Sequence, residues 1–161
     1  FSECFDMNII ALRFANIIGP YSWHKKGVIT SYMKSLLIGQ DLIVYGDGSS
    51  TRDYLYIDDL CNGILAAITK NIEGYHQIHL SSGEELSIED LARQVIKTCP
   101  FECSPNINYL GKRPGEVERN FANYSKATKL LNFNPEHSMD KALQLTWQWM
   151  VDYIEENNLK L

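Results

Sequence analysis

An asparagine, two arginines and a tyrosine are the side chains whose setting in this sequence suits them to hold an anionic ligand. Asn16 lies just past the apolar, β-branched run from Asn8 to Phe14 and is followed by Gly19-Pro20, a pair that turns the chain sharply. Ligands of open α/β sheets bind outside the carboxyl ends of strands, so this amide is placed to touch one. Standing alone, it would read as an ordinary turn residue. Arg52 follows the polar loop Gly46-Asp47-Gly48-Ser49-Ser50, and Arg113 sits in Lys112-Arg113-Pro114-Gly115-Glu116, a turn built of rigid Pro and permissive Gly. Two guanidiniums brought together make a bidentate clamp for a diphosphate. Taken singly, each reads as a solvated side chain or the partner of an Asp. Tyr45 ends a strand beside the glycine loop, where it could stack on a base or simply pack.

Other reactive side chains read more plainly. Asp58 and Asp59 stand at a helix start, where Asp58 is expected to cap the helix and both carboxylates to complement its dipole. The loop from Gly46 to Ser50 lacks the Gly-Lys-Ser/Thr of a phosphate-binding loop. Cysteines at 4, 61, 99 and 103 repeat no paired spacing and read as reduced thiols of a cytoplasmic protein. Zinc would need His76 and His79 beside Cys99 and Cys103, so no metal is expected. No Ser-His-Asp order or activated cysteine emerges, and no catalytic residue is assigned to the chain. The sequon Asn123-Tyr124-Ser125 is set aside as chance.

The elements that must position these groups alternate between strand and helix. Strands are expected at Asn8–Phe14, buried on both faces, and at Leu42–Tyr45, Tyr54–Ile57, His76–Leu80 and Ile107–Leu110. A hairpin or tight connection is expected between the second and third. Phe1–Met7 reads as the last turns of a helix. Apolar residues at intervals of three and four, Tyr32 among them, predict a helix from Gly27 to Ile38 that stops at Gly39. A helix after Asp58 carries Leu60, Ile64, Ala67 and Ile68 on one face. Ser87 followed by Asp90 predicts a cap for a helix closed by Pro100, Ser125 a cap for a helix through Leu131, and Ser138 a cap for a long helix from Met139 to about Glu156. The fold class is therefore α/β. Function is expected in the irregular stretches Asn16–Lys26, Gly46–Asp53 and Gly111–Asn120.

Composition narrows the partners. The 161 residues are 45% hydrophobic and 22% charged, enough to bury one core without staples. No apolar run approaches the roughly 18 residues of a membrane span. With 15 Lys and Arg against 20 Asp and Glu, the net charge of −5 gives no overall positive field for nucleic acid or anionic lipid.

Three ordered motifs resemble one family. They are Leu12-Arg13-Phe14-Ala15-Asn16-Ile17-Ile18-Gly19-Pro20, then Val44-Tyr45-Gly46-Asp47-Gly48-Ser49-Ser50-Thr51-Arg52-Asp53-Tyr54 with Tyr56-Ile57-Asp58-Asp59, then Arg113-Pro114-Gly115-Glu116. Together with Ser125-Lys126-Ala127 and the Trp147–Trp149 segment, they resemble the NAD-dependent nucleotide-sugar epimerases and dehydratases, the extended short-chain dehydrogenases typified by UDP-glucose 4-epimerase. What is matched is the family's C-terminal half. Residues 1–25 and about 54–80 are expected to contribute to the cofactor-domain sheet, the last Rossmann strands. The remainder forms the small mixed α/β substrate-binding domain. The Gly-rich cofactor turn and the catalytic Tyr-x-x-x-Lys helix are expected outside the chain, in a missing N-terminal half.

In that family a tyrosine of lowered pKa takes the sugar C4 hydroxyl proton while hydride passes to NAD. The resemblance implies that Asn16 holds the substrate phosphate or sugar, that Val28 and Tyr45 border the base, that Arg52 and Arg113 grip the diphosphate, and that Glu116 accepts the ribose hydroxyls. Phe14 would lie near the nicotinamide. Departures are Ile18 where Tyr is common, Glu116 where Asp is usual, and Asn123 where Asp is frequent. The expectation is a substrate-binding portion that takes a nucleotide diphosphate sugar, a UDP-sugar, and that neither binds NAD nor turns over alone. The alternatives are a non-catalytic nucleotide-sugar binding or interaction module, and a split enzyme whose other half arrives as a separate chain.

Overall fold

In the computed structural model, which describes residues 1–159, the chain runs through fifteen elements. These are α1 (Ser2–Phe5), β1 (Ile9–Phe14), β2 (Asn16–Ile18), α2 (Val28–Leu37), β3 (Leu42–Tyr45), β4 (Thr51–Arg52), β5 (Tyr54–Tyr56), α3 (Ile57–Thr69), β6 (Tyr75–Leu80), β7 (Leu86–Ser87), α4 (Ile88–Lys97), β8 (Ile107–Leu110), β9 (Arg119–Asn120), α5 (Ser125–Leu131) and α6 (Met139–Glu156). No helix among the described residues is long and apolar enough to cross a membrane.

Three parallel pairings carry the architecture: β1 with β6, β2 with β5, and β3 with β8. A small sheet, β7-β4-β9, joins the loops between them, with β4 antiparallel to β7 and parallel to β9. The expected hairpin across residues 46–53 does not form. Leu42–Tyr45 pairs with Ile107–Leu110 and Tyr54–Tyr56 with Asn16–Ile18, so each strand spends its hydrogen bonds on a distant partner. The first strand also departs from expectation. It is half-buried rather than buried on both faces, and Arg13 and Phe14 are exposed, because β6 alone pairs with it among the described residues.

Helix ends follow their capping chemistry with two corrections. Ser87 Oγ accepts the Asp90 N–H at 3.0 Å, and Ser138 Oγ accepts the Lys141 N–H at 3.4 Å, as the serines predict. Asp58 does not cap α3. The helix starts one residue earlier, at Ile57, with Tyr56 at the cap position, and Asp58 lies in its first turn. Ser125 likewise opens α5 as a helical residue behind Tyr124. In α3 Leu60 is buried, but Ile68 is 75% exposed and off the packed face.

Two apolar clusters result. One gathers α2, β3, α4 and α6 around Met33, Leu42, Val44, Leu91, Leu143 and Trp147. The other gathers α3, β6 and α5 around Leu55, Ile78, Leu80, Leu131 and Phe133, and Ile57 packs against both. Gly63 lets α3 approach β6 closely, since a Cβ there would meet Leu80 Cδ1 at 2.8 Å.

Candidate functional site

Asn16 stands where the chain changes partner. The Ala15 N–H still donates to the Leu80 carbonyl at 3.0 Å, whereas the Asn16 N–H donates to the Asp53 carbonyl at 3.0 Å, so pairing passes from β6 to the segment leading into β5. A switch of this kind opens a crevice at strand ends. The Asn16 side-chain amide donates to the same Asp53 carbonyl at 3.0 Å, which fixes its orientation and leaves its carbonyl oxygen available.

Asp53 holds this corner. Its carboxylate, buried at 2% exposure, accepts the Ser82 N–H and hydroxyl at 2.9 and 2.8 Å and the Gly83 N–H at 3.0 Å. Nothing in the sequence singles it out, because its role is set by burial and by partners some 30 residues away. Asp59 has a similar station: it is buried, and it accepts the Glu136 and His137 N–H groups, each at 3.2 Å, and faces His137 Nδ1 at 3.0 Å. It ties a remote loop to α3 rather than serving the helix dipole alone.

The two arginines are brought together by a doubly fastened loop. Tyr45 pairs with Leu110 at the end of β3·β8, and Thr51 pairs with Arg119 in β4·β9, so residues 111–118 are held against residues 46–50 at both ends. Within that loop the Glu116 N–H donates to the Arg113 carbonyl at 3.3 Å, with Pro114 next and Gly115 at φ 76°, the arrangement of a type II turn. The turn sets Arg113 and Glu116 side by side. The Arg113 guanidinium carbon lies 3.5 Å from the centroid of the Tyr45 ring, and Arg52 Nη2 is 3.7 Å from Glu116 Oε1. Arg52 also donates to the Thr51 carbonyl at 2.7 Å.

A single cavity of about 330 Å³ is lined by Asn16, Val28, Tyr45, Arg52, Arg113 and Glu116 alike. Phe14 does not line it. It ends β1, 51% exposed. Lys25 and Lys26 also reach the lining, so four cationic residues face the single carboxylate of Glu116 and the cavity favours an anion. Nothing in the sequence singles out either lysine, although both lie in the irregular stretch Asn16–Lys26.

The lining holds polar atoms that the protein leaves unmatched. Tyr32 Oη, Tyr54 Oη and Glu116 Oε2 are buried without a hydrogen-bond partner among the described residues. Burial, then the neighbouring Tyr109, pushes the Tyr32 phenol up to about 12, with Arg113 opposing and Glu116 adding. Tyr54 is raised too, chiefly by burial. Both phenols therefore stay protonated and can donate at neutral pH.

The spacing Tyr-x-x-x-Lys does occur once in the sequence, at Tyr21 and Lys25. It is not borne on a helix. Tyr21 has φ 61° and is 86% exposed, and the Lys25 N–H closes a turn onto the Ser22 carbonyl, so the two side chains do not share a helical face. Cys99 and Cys103 gather no metal-ligating cluster among the described residues.

A model of the NAD dependent epimerase/dehydratase family matches residues 1–81. The chain belongs to that family. Among its curated relatives are the UDP-glucuronate 4-epimerase of Thermodesulfobacterium geofontis, 29% identical over 160 residues, and a dTDP-glucose 4,6-dehydratase of Actinoplanes, 28% identical over 149. These alignments take in 96% and 92% of this chain but 47% and 46% of those proteins. The chain thus spans about half the length of the curated relatives it matches. The crystal structure of UDP-glucuronic acid 4-epimerase from Bacillus cereus, in complex with UDP-glucuronic acid and NAD, superposes with a TM-score of 0.83 at 30% identity, over 94% of this chain and 48% of that one. Mixed α/β architecture of the epimerase/dehydratase kind is thereby shared.

Proposed function

We propose that the chain is the C-terminal, substrate-binding portion of an NAD-dependent nucleotide-sugar epimerase or dehydratase, and that its cavity takes the nucleoside diphosphate of a UDP-sugar. The observation that carries the reading is the convergence of six residues from four separate stretches of sequence on one cavity rich in positive charge. Arg52 and Arg113 would hold the two phosphates, Tyr45 and Val28 would border the base, and Glu116 would accept ribose hydroxyls. Asn16, at the strand switch, would meet the sugar or its phosphate. Residues 1–25 and 54–80 would belong to the cofactor-domain sheet and the rest to the substrate-binding domain.

NAD is the family's redox group, and it supplies hydride acceptance from the sugar when bound. In this chain Phe14 is the residue suited to it, an exposed aromatic at the end of β1. No Gly-x-x-Gly-x-x-Gly is present in these 161 residues, and Tyr21 and Lys25 are not arranged as a helical proton-transfer pair. What the chain's own residues do is therefore to bind and orient a substrate. Proton and hydride transfer would need the other half of the family's architecture.

Isothermal titration of the 161-residue chain with UDP tests the reading. Binding is expected for the natural sequence and a loss of at least about tenfold for Arg52→Ala, since one charge-assisted clamp arm is removed. Equal affinity of the variant, or turnover of a UDP-sugar by the pure chain with NAD, would overturn it.

A further inference from the structure

The Tyr32 hydroxyl is the least explained polar atom of the cavity. Tyr32 is 3% exposed, on the face of α2 that packs into the larger apolar cluster, yet it also lines the cavity. Its ring satisfies the apolar periodicity of the helix. Its hydroxyl satisfies nothing, for no described residue is its partner. A buried hydroxyl left unpaired costs free energy that a phenylalanine of the same shape would avoid, so the group is best accounted for by what enters the cavity.

The neighbours say what chemistry could meet it. Tyr32 lies within electrostatic reach of Arg113 and Glu116, and Glu116 Oε2 is itself buried and unpartnered. The carboxylate can only accept a hydrogen bond, while the phenol, protonated at neutral pH, can donate one. Among the groups of a bound nucleotide, the one that can both donate to Glu116 and accept from Tyr32 is a hydroxyl. A phosphate oxygen or a base carbonyl cannot donate to the carboxylate. On the reading above, the base lies by Tyr45 and the diphosphate by Arg52 and Arg113, and this inference rests on that reading. The sugar joining those two parts of a nucleoside diphosphate is a pentose, and of its hydroxyls the 2′ is the one that ribose has and deoxyribose lacks.

We infer that Tyr32, together with Glu116, reads the ribose 2′-hydroxyl and makes the site selective for ribonucleoside over deoxyribonucleoside diphosphates. Tyr32 is then a specificity-determining residue that favours UDP-sugars over dTDP-sugars. A site built around a ligand hydroxyl rejects the analogue that lacks it, because its own polar atoms are then left buried and unpaired.

Calorimetric titration of the 161-residue chain with UDP and with dUDP, which differ only in the 2′-hydroxyl, tests this directly. The natural chain is expected to bind UDP at least about tenfold more tightly than dUDP. Tyr32→Phe is expected to lower UDP affinity toward that of dUDP and to leave dUDP affinity unchanged. Because the hydroxyl has no partner in the protein, the variant should melt at the same temperature or higher. Equal binding of the two nucleotides by the natural chain, retention of the full preference by Tyr32→Phe, or a lowered melting temperature would each overturn the inference. Arg52→Ala separates the two readings, since it should weaken UDP and dUDP alike. Binding of neither nucleotide by the natural chain would overturn the site reading and this inference with it.

Discussion

Arg113 meets its surroundings through two different properties of a guanidinium. Its guanidinium carbon lies 3.5 Å from the centroid of the Tyr45 ring, and the residue also lines the cavity beside Arg52, where its N–H groups have no acceptor among the described residues. Lysine can reproduce the charge but neither the stacking plane nor the paired donors. Arg113→Lys is therefore expected to cost about tenfold in UDP affinity, with no change in melting temperature, as read by calorimetry and a thermal melt. An unaltered affinity would mean that the plane and the fork are unused. Such residues were legible in the sequence because their type and setting are both local: an Arg in an Arg-Pro-Gly-Glu turn, a Tyr at a strand end, an Asn past one. Val28 and Glu116 were reached only through the family resemblance. Asp53 and the Tyr32 hydroxyl were not legible at all. Apolar periodicity reads a tyrosine by its ring, and whether its oxygen finds a partner depends on chain segments far away in sequence.

Among the elements, the longer strands and the helices were legible and the two-residue strands were not. Six to eighteen residues of apolar pattern outweigh local irregularity, as in β6 and α6, whereas β4, β7 and β9 offer two residues each and exist only because their neighbours are in place. Yet it is β4·β9, with β3·β8, that fastens the 111–118 loop and so delivers Arg113 and Glu116 to the cavity. The β3·β8 pairing has its own lock. Asp41, just before β3, accepts the Asn106 N–H at 2.8 Å and the Asn108 side-chain amide at 3.1 Å. These bonds hold its carboxyl below the ordinary 3.8, the Asn106 N–H contributing most. A carboxylate with a lowered folded pKa stabilises fully above its unfolded pKa and loses that contribution as pH falls through the folded value. Asp41→Asn should therefore lower the melting temperature by a constant amount between about pH 7 and 5, and the gap should close as the pH drops below 3.8. A gap that persists undiminished in acid would show that the charge plays no part in the lock.

At the scale of the whole molecule, the cavity belongs with the better-covered part of the fold. The cluster around Met33 and Trp147 is enclosed by α2, β3, α4 and α6, and its Ile18, Ile29, Tyr32 and Ile88 reach the cavity wall. Among the described residues the β1·β6 pair is left with a bare edge and with Phe14 and Tyr75 exposed, and Phe1, Phe5 of α1 and Ile68 of α3 are exposed as well. Successive N–H groups of a strand point to opposite edges. Since the N–H groups of Ile9 and Ala15 donate to Gly74 and Leu80, those of odd-numbered residues face β6, and those of Ile10, Leu12 and Phe14 face away. In monomeric chain the latter three amides should exchange with deuterium far faster than those of Ala11 and Arg13, a difference resolvable by NMR. A bare, half-apolar edge of this kind is also a template for pairing. Raising the concentration until light scattering reports association should slow exchange at Ile10, Leu12 and Phe14 before it alters the amides of α2 or α6. Protection of the three amides in demonstrably monomeric protein would mean that this edge is already satisfied, and would remove the physical reason for expecting β1 to pair on association.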